Sequence, residues 1–227
     1  MGLQFDSFVL TAATADLADE PAARDHADAV EFRMDLAETD PLEALREYDG
    51  ELPILATNRA AWEGGEWEGD DDERLAELAA AARLEGVEAI DIELESCRSG
   101  AAETVLEAAA DNDVSVVASA HDFEGTPSES EMVETLTAAC EYADVGKLAV
   151  TAHEQGDALA VLSATHQLTT AGETVATMAM GEAGSHTRAV APLYGSRIGY
   201  APVDPADATA PGQYDLETLS TLIEALE

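Results

Sequence analysis

The chain has 227 residues, enough to bury a core of its own without disulfides or structural metals. Forty-eight aspartates and glutamates stand against ten lysines and arginines, giving a formal net charge of -38, which argues against binding to DNA, RNA or anionic membranes. A hydrophobic content of 46% in periodic segments argues against disorder, so the sequence predicts a folded protein adapted to high salt.

No basic segment followed by an apolar stretch marks the amino terminus, and no apolar run approaches the roughly 20 residues of a membrane span. We therefore expect a soluble, cytoplasmic protein. Residues 1–227 contain no linker of Pro, Gly and Ser, which favours a single domain. Cys97 and Cys140 have neither metal-site spacing nor a disulfide pattern, so no metal ion is predicted.

Apolar, β-rich runs alternate with helical patterns along the whole chain, which predicts βα units and a parallel sheet. The predicted strands are Ser7–Ala12, Ala29–Met34, Pro53–Thr57, Ala89–Leu94, Val114–Ser119, Val145–Val150, Thr174–Ala179 and Gly195–Tyr200. Eight strands predict a (β/α)8 TIM barrel. A doubly wound sheet is the alternative, but no GxGxxG motif follows the first strand.

Three helices between or after these strands have clear sequence signals. The carboxylates of residues 70–72 suit the start of one helix, and Ser128 with Glu131 fits the capping box of another. The first of these helices has an apolar stripe formed by Leu75, Leu78, Ala79 and Ala82. The closing helix has an apolar stripe formed by Leu216, Leu219, Ile223 and Leu226.

Charged residues follow the second and third predicted strands. Glu31 and Arg33 are two residues apart and share one strand face, so they form either a pair at the barrel mouth or a structural ion pair. Arg59 directly follows the third strand, and Glu63 precedes two glycines in a loop that bends sharply or approaches a ligand. By itself this loop pair is a weak indication of a site.

His121 lies just past the fifth predicted strand, at the end where barrel enzymes place catalytic groups. A histidine there is a candidate general base, because imidazole titrates near neutrality. His153 and His166 lie in or near a predicted helix and are expected on the surface.

The only lysine of the chain, Lys147, lies inside the apolar sixth strand. Burial disfavours an ammonium ion and favours the neutral, nucleophilic amine that forms imines. The alternative is a structural lysine that reaches solvent or pairs with a carboxylate. The absence of any other lysine favours the chemical role.

Together these segments resemble type I 3-dehydroquinate dehydratase, a shikimate-pathway enzyme, from Thr11 to Gln213 and in the same order. The matching segments are Glu31-Phe32-Arg33-Met34-Asp35, Arg59 with Glu63-Gly64-Gly65, Asp91-Ile92-Glu93-Leu94, Ser119-Ala120-His121-Asp122-Phe123, Lys147-Leu148-Ala149-Val150, Met178-Ala179-Met180, Arg188 and Ala210-Pro211-Gly212-Gln213. The resemblance implies a (β/α)8 barrel, usually a homodimer, that converts 3-dehydroquinate to 3-dehydroshikimate without a metal or cofactor.

The resemblance also implies a role for each matching residue. Lys147 forms the Schiff base, His121 transfers the proton in a syn elimination, and Glu63 orients the histidine and favours its charged form. Arg188 is the implied clamp for the substrate carboxylate. The remaining implied substrate contacts are Thr11, Glu31, Arg33, Arg59, Thr209 and Gln213. Thr11 and Thr209 stand where the family commonly has serine, and both keep a hydroxyl.

Two other functions remain open from the residues alone. A Schiff-base aldolase or transaldolase on the same fold also needs a strand lysine, but it cleaves a carbon–carbon bond. A non-catalytic acidic binding module would tolerate replacement of Lys147 by alanine, whereas a Schiff-base enzyme would fold and lose its activity.

Overall fold

The computed structural model describes residues 2–203 and 212–226, which form a parallel barrel surrounded by helices. The strands are β1 (Val9–Thr14), β2 (Ala29–Arg33), β3 (Ile54–Thr57), β4 (Val87–Glu93), β5 (Ser115–Asp122), β6 (Val145–Thr151), β7 (Val175–Met180) and β8 (Ile198–Pro202). The helices are α1 (Glu20–Ala23), α2 (Pro41–Glu47), α3 (Asp71–Ala81), α4 (Leu94–Ser99), α5 (Glu103–Asp111), α6 (Glu129–Cys140), α7 (Gln155–Ala171), α8 (Thr187–Val190) and α9 (Leu216–Glu224).

The strand order is β7-β6-β5-β4-β3-β2-β1-β8, so each strand from β1 to β7 lies beside its neighbours in sequence and β8 pairs with β1. The edge strands meet where the Arg197 N–H donates to the Val175 carbonyl at 2.8 Å. The Thr177 N–H also donates to the Ser196 hydroxyl at 3.0 Å. The nearly closed barrel confirms the predicted fold class and excludes the doubly wound alternative, whose strand order reverses at a switch point.

All eight predicted strands exist, but some of their ends were predicted wrongly. Gly195 was predicted to begin the eighth strand. Instead it follows a short 3₁₀ helix, Ala191–Tyr194, and adopts a left-handed conformation with a φ of 97°. β8 begins three residues later. The fifth strand runs further than predicted, because β5 stays paired with β6 through Asp122 and Val150. His121 therefore lies on β5 rather than past it.

Side chains alternate along each strand between the barrel interior and the surrounding helices. In β3, Ile54 packs outward with Leu75 and Leu78 of α3, whereas Leu55 packs inward with Val117. The other strands follow the same pattern, so a residue two positions after an inward apolar residue also points into the barrel. Polar residues at inward positions near the carboxyl ends of the strands therefore point into that end of the barrel interior.

The predicted helix starts are confirmed. The Asp70 side chain accepts from the Asp72 N–H ahead of α3, and Ser128 with Glu131 forms a capping box at α6. The closing helix is shorter than predicted: α9 ends at Glu224, so Leu226 lies beyond it and is exposed instead of packing with Leu219. Among the described residues, no helix combines the length and the hydropathy needed for a bilayer span.

Candidate active site

Lys147 lies on β6 with its side chain inside the barrel, and only 4% of the residue is exposed. Its Nζ donates to an Asp91 carboxylate oxygen at 2.8 Å. The Tyr200 ring covers the same nitrogen, with its centroid 4.1 Å away. The pairing with a carboxylate was the alternative given for this lysine from the sequence, and the ring adds a cation–π contact to it. The carboxylate and the ring therefore fix the position of the amine inside the barrel.

Asp91 belongs to a buried chain of alternating charges that begins on helix α3. Arg74 contacts Glu93 at 2.8 Å, and Glu93 accepts from Arg59 at 3.1 Å. Arg59 donates to Asp91 at 2.7 Å, and Asp91 accepts from Lys147. Burial alone would raise the pKa of Asp91, but Arg59 and Lys147 outweigh it and hold that pKa below its usual value. Asp91 is therefore ionised near neutral pH and fixes the position of the amine.

His121 is two residues beyond Ser119 on β5, and Ser119 is the register partner of Lys147 on β6. This spacing places the imidazole on the same face as the amine, one layer nearer the barrel mouth. The ring lies parallel to Phe123, with centroids 5.8 Å apart. Its Nδ1 lies 2.7 Å from a Glu63 carboxylate oxygen. Glu63 ends a 3₁₀ helix, Ala61–Glu63, that follows β3.

The environment of the pair favours a neutral imidazole. Burial lowers the pKa of His121 well below its ordinary value, and the Arg59 and Lys147 cations lower it further. Burial raises the pKa of Glu63 to about 7. A neutral His121 that donates its Nδ1–H to Glu63 leaves Nε2 free to accept a proton. The resemblance implies that Glu63 favours the charged form of His121, whereas burial and the Arg59 and Lys147 cations act in the opposite direction.

Arg188 on α8 is 5% exposed and has no acidic partner among the residues that the structure describes. Its Nη1 lies 3.9 Å from the Met178 sulfur, and no described residue accepts a hydrogen bond from its Nε. Burial lowers the pKa of Arg188 to about 10, so the guanidinium is still charged at neutral pH. A buried cation without a carboxylate is suited to bind an anionic ligand.

The two charged residues of β2 are held by different partners. Glu31 accepts from the Thr57 hydroxyl at 3.0 Å, whereas Arg33 forms a bidentate pair with Asp35 at 2.7 and 2.9 Å. Arg33 is therefore oriented by its own carboxylate rather than by Glu31. Both side chains border the same cleft.

A cleft at the carboxyl ends of the strands encloses about 70 Å³ of free volume and brings most of the predicted residues together. The residues that line it are Glu31, Arg33, Arg59, Glu63, Gly64, His121, Phe123, Lys147, Ala149, Met178, Met180, Arg188, Tyr200 and Gln213. Thr11 does not line the cleft. It lies on β1, and its hydroxyl donates to the Gly199 carbonyl at 2.8 Å. Thr209 lies outside the described residues, so its substrate contact remains a prediction.

Sequence reasoning gave no role to three residues that shape the site. Asp91 and Glu93 were only part of a matching segment, although two acids spaced by two in an apolar strand are a signal that both point into the barrel. Tyr200 was only the last residue of a predicted strand. The neighbours of Tyr200 come from distant parts of the chain, so no spacing in the sequence indicated that it belongs to the site.

A wider groove of about 620 Å³ lies at the opposite end of the barrel, among residues 45–53 and 84–88. Its charged lining consists of Arg46 with Asp49, Glu51, Glu85 and Glu88. Such an acidic groove repels anions and offers neither an amine nor an imidazole. Its larger volume therefore does not make it the better candidate.

The family model for type I 3-dehydroquinase matches residues 7–227. The 3-dehydroquinate dehydratase of Haloarcula marismortui is 55% identical over 99% of both chains, and that of Haloquadratum walsbyi is 53% identical over 99% of this chain and 94% of the relative. The crystal structure of 3-dehydroquinate dehydratase from Geobacillus kaustophilus is 28% identical, with a TM-score of 0.86 over 97% of this chain and 91% of that one.

The type I 3-dehydroquinate dehydratase of Clostridium difficile is 25% identical, with a TM-score of 0.86 over 97% of this chain and 92% of that one. That structure contains covalently modified comenic acid. The resemblance inferred from the sequence motifs is confirmed, and the chain belongs to the type I 3-dehydroquinase family.

Proposed function

We propose that this protein dehydrates 3-dehydroquinate to 3-dehydroshikimate, in the shikimate pathway, through a Schiff base on Lys147. The observation that carries the proposal is the placement of the only lysine of the chain. It lies buried in a cleft that also holds the His121–Glu63 pair and the buried Arg188 guanidinium. The covalently modified ligand of the Clostridium difficile relative supports covalent chemistry in this family.

The imine makes the following elimination easier. Attack of the Lys147 amine on the substrate ketone, with loss of water, gives a protonated imine that withdraws electrons from the neighbouring carbon. The C2 hydrogen next to the imine then becomes acidic enough for a neutral imidazole to remove. The lowered pKa of His121 keeps that imidazole in its basic form at neutral pH.

His121 performs both proton transfers of the elimination in this scheme. It accepts the C2 proton and then gives it to the departing hydroxyl on the same face of the ring, which is a syn elimination. Glu63, 2.7 Å from Nδ1, fixes the orientation of the ring and stabilises the imidazolium while it exists. Hydrolysis of the product imine then returns Lys147 to its starting state.

The cations of the cleft select an anionic substrate. Arg188 binds the substrate carboxylate through a charge-assisted, bidentate contact, because its guanidinium is buried and has no carboxylate partner among the described residues. Glu31, Arg33, Arg59 and Gln213 border the rest of the cleft and contact the substrate hydroxyls. The local positive charge offsets the repulsion that an anion meets from a surface with a net charge of -38.

A turnover assay with stereospecifically deuterated substrate tests this function. Incubation with 3-dehydroquinate in high salt should produce the ultraviolet absorbance of the conjugated product. Deuterium should be lost from C2 only when it lies on the face of the departing hydroxyl. Carbon–carbon cleavage products would support the aldolase alternative instead, and loss of the opposite deuterium would contradict the syn elimination.

We further infer that the protein is a cytoplasmic homodimer with a salt-dependent fold. Screening at about 1 M salt shortens the Debye length to about 3 Å, which removes most of the repulsion among surface carboxylates. Light scattering in high salt should give twice the chain mass. Dilution into low salt should unfold or inactivate the protein, and full activity in dilute buffer would contradict the salt adaptation.

A further inference from the structure

Tyr200 on β8 is a buried residue of the cleft to which neither the motifs nor the proposed reaction assigns a role. It is 5% exposed, and its ring centroid lies 4.1 Å from Lys147 Nζ. Its hydroxyl has no hydrogen-bond partner among the described residues. A buried tyrosine hydroxyl is usually bonded, so this one is available to a group that enters the cleft.

The surroundings of Tyr200 keep its hydroxyl a donor. The nearest carboxylates have other partners, since Asp91 binds Lys147, Arg59 and Ser119, and Glu31 accepts from a threonine. Burial raises the pKa of Tyr200 well above its ordinary value, and the negative charges of Asp91 and Glu31 raise it further. The phenol is therefore protonated throughout the neutral range.

Resting on the proposed Schiff-base function, we infer that Tyr200 is a further catalytic residue. Its hydroxyl donates a hydrogen bond to the substrate ketone oxygen while Lys147 attacks the adjoining carbon. The ring stacked over Nζ and the hydroxyl on that ring belong to one rigid side chain, so the amine and the donor are held together. The bond strengthens as the oxygen gains negative charge, which lowers the barrier to attack.

The step balances without any outside reagent. His121 accepts a proton from the Lys147 ammonium, the amine forms a bond to the ketone carbon, and the carbonyl π electrons move to the oxygen. That oxygen takes one proton from the nitrogen and a second from the imidazolium. The C–O bond then breaks, water leaves, and the nitrogen keeps its last hydrogen as the protonated imine. Tyr200 donates a hydrogen bond throughout and transfers no proton.

The Tyr200→Phe variant keeps the ring over Lys147 and removes only the hydroxyl. Imine formation, measured as the rate of borohydride trapping with 3-dehydroquinate after rapid mixing, should slow by about 10- to 100-fold. Binding of the substrate carboxylate should be unchanged. Because the hydroxyl has no partner in residues 2–203 and 212–226, the variant should melt at or above the wild-type temperature.

Tyr48→Phe is the matched control, because it removes a hydroxyl that does donate, to the Leu52 carbonyl at 2.7 Å, at the other end of the barrel. It should lower the melting temperature and leave the trapping rate unchanged. Trapping of Tyr200→Phe at the wild-type rate, or a loss of stability that accounts for its slower turnover, would overturn the role of Tyr200. Failure of the wild-type protein to form any adduct would instead overturn the Schiff-base proposal itself.

Discussion

The barrel interior has an apolar half toward the amino ends of its strands and a charged half toward their carboxyl ends. On β6 the change falls between Val145 and Lys147, and on β4 between Ala89 and Asp91. Two residues of a strand span about 7 Å, so the two halves are in direct contact. In the apolar half, buried side chains contribute to stability through the hydrophobic effect. In the charged half, taking ions and polar atoms out of water has a cost that only well-placed partners offset.

Replacing the amine is the strongest test of this division. Lys147→Met keeps the length of the side chain, and Asp91 still has Arg59 as a partner, so we expect a folded protein. Loss of the nucleophile should lower kcat by about 10⁴-fold or more. Steady-state kinetics and circular dichroism measure the two effects.

The matched control for that variant is the next residue, Leu148, which points outward against the helices. Leu148→Met is close to volume-conserving and should cost less than about 1.5 kcal/mol of stability without loss of kcat. More than a hundredth of wild-type kcat in Lys147→Met would contradict the assignment of the nucleophile.

Removing the Arg188 guanidinium should separate the effect on substrate binding from the effect on stability. Arg188→Met should raise the KM for 3-dehydroquinate by about 10²- to 10³-fold, because a buried charge pair with the substrate is lost. The free energy of unfolding should stay the same or increase, since the variant removes a buried cation that has no carboxylate partner in the described part of the chain.

Arg24→Met is the control for Arg188→Met, because its expected effects on stability and on KM are the reverse. Arg24 pairs with the buried Glu20 carboxylate outside the cleft, so its loss should lower stability and leave KM unchanged. A large drop in the stability of Arg188→Met with an unchanged KM would mean that Arg188 has a structural role instead.

A substitution in the apolar half of the barrel should lower stability and leave the kinetics almost unchanged. Leu55 is fully buried and packs inside the barrel, so Leu55→Ala should lower the free energy of unfolding by about 2–5 kcal/mol. At temperatures where the variant is folded, kcat should stay within about threefold of wild type. Chemical denaturation in high salt measures the first effect. Leu159→Ala, at a 67% exposed position, is the control that should change little.

The smallest expected effect concerns the pH profile. Glu63, whose pKa burial raises to about 7, must be ionised to stabilise the His121 imidazolium, so kcat/KM should fall as the pH drops through 7. Glu63→Gln should lower kcat about tenfold at pH 8 and move this acidic limb to lower pH. The exposed Glu66→Gln should keep the wild-type profile. An unchanged limb near pH 7 in Glu63→Gln would show that another group controls it.

The apolar, β-rich runs between helical patterns predicted the eight strands because each run is a local property of the chain. Strand ends were harder to predict, since they depend on hydrogen bonds to a neighbouring strand or on one backbone angle. His121 joined β5 through pairing with β6, and the left-handed conformation of Gly195 delayed the start of β8.

The sequence also predicted much of the cleft, because residues at the carboxyl ends of parallel strands gather at one end of a barrel. The pairing of Lys147 with Asp91 could not be predicted, since these residues are 56 positions apart and meet through strand register. The same reason explains why Tyr200 was overlooked. Thr11 has the expected position on a strand, but its hydroxyl is already bonded to the backbone.

Covalent trapping tests the central claim most directly. Wild-type protein treated with 3-dehydroquinate and borohydride should gain the mass of one reduced adduct, and peptide mapping should place it on Lys147, the only lysine of the chain. Lys147→Met should gain none. Wild-type protein that turns over the substrate and never forms this adduct would contradict the Schiff-base mechanism.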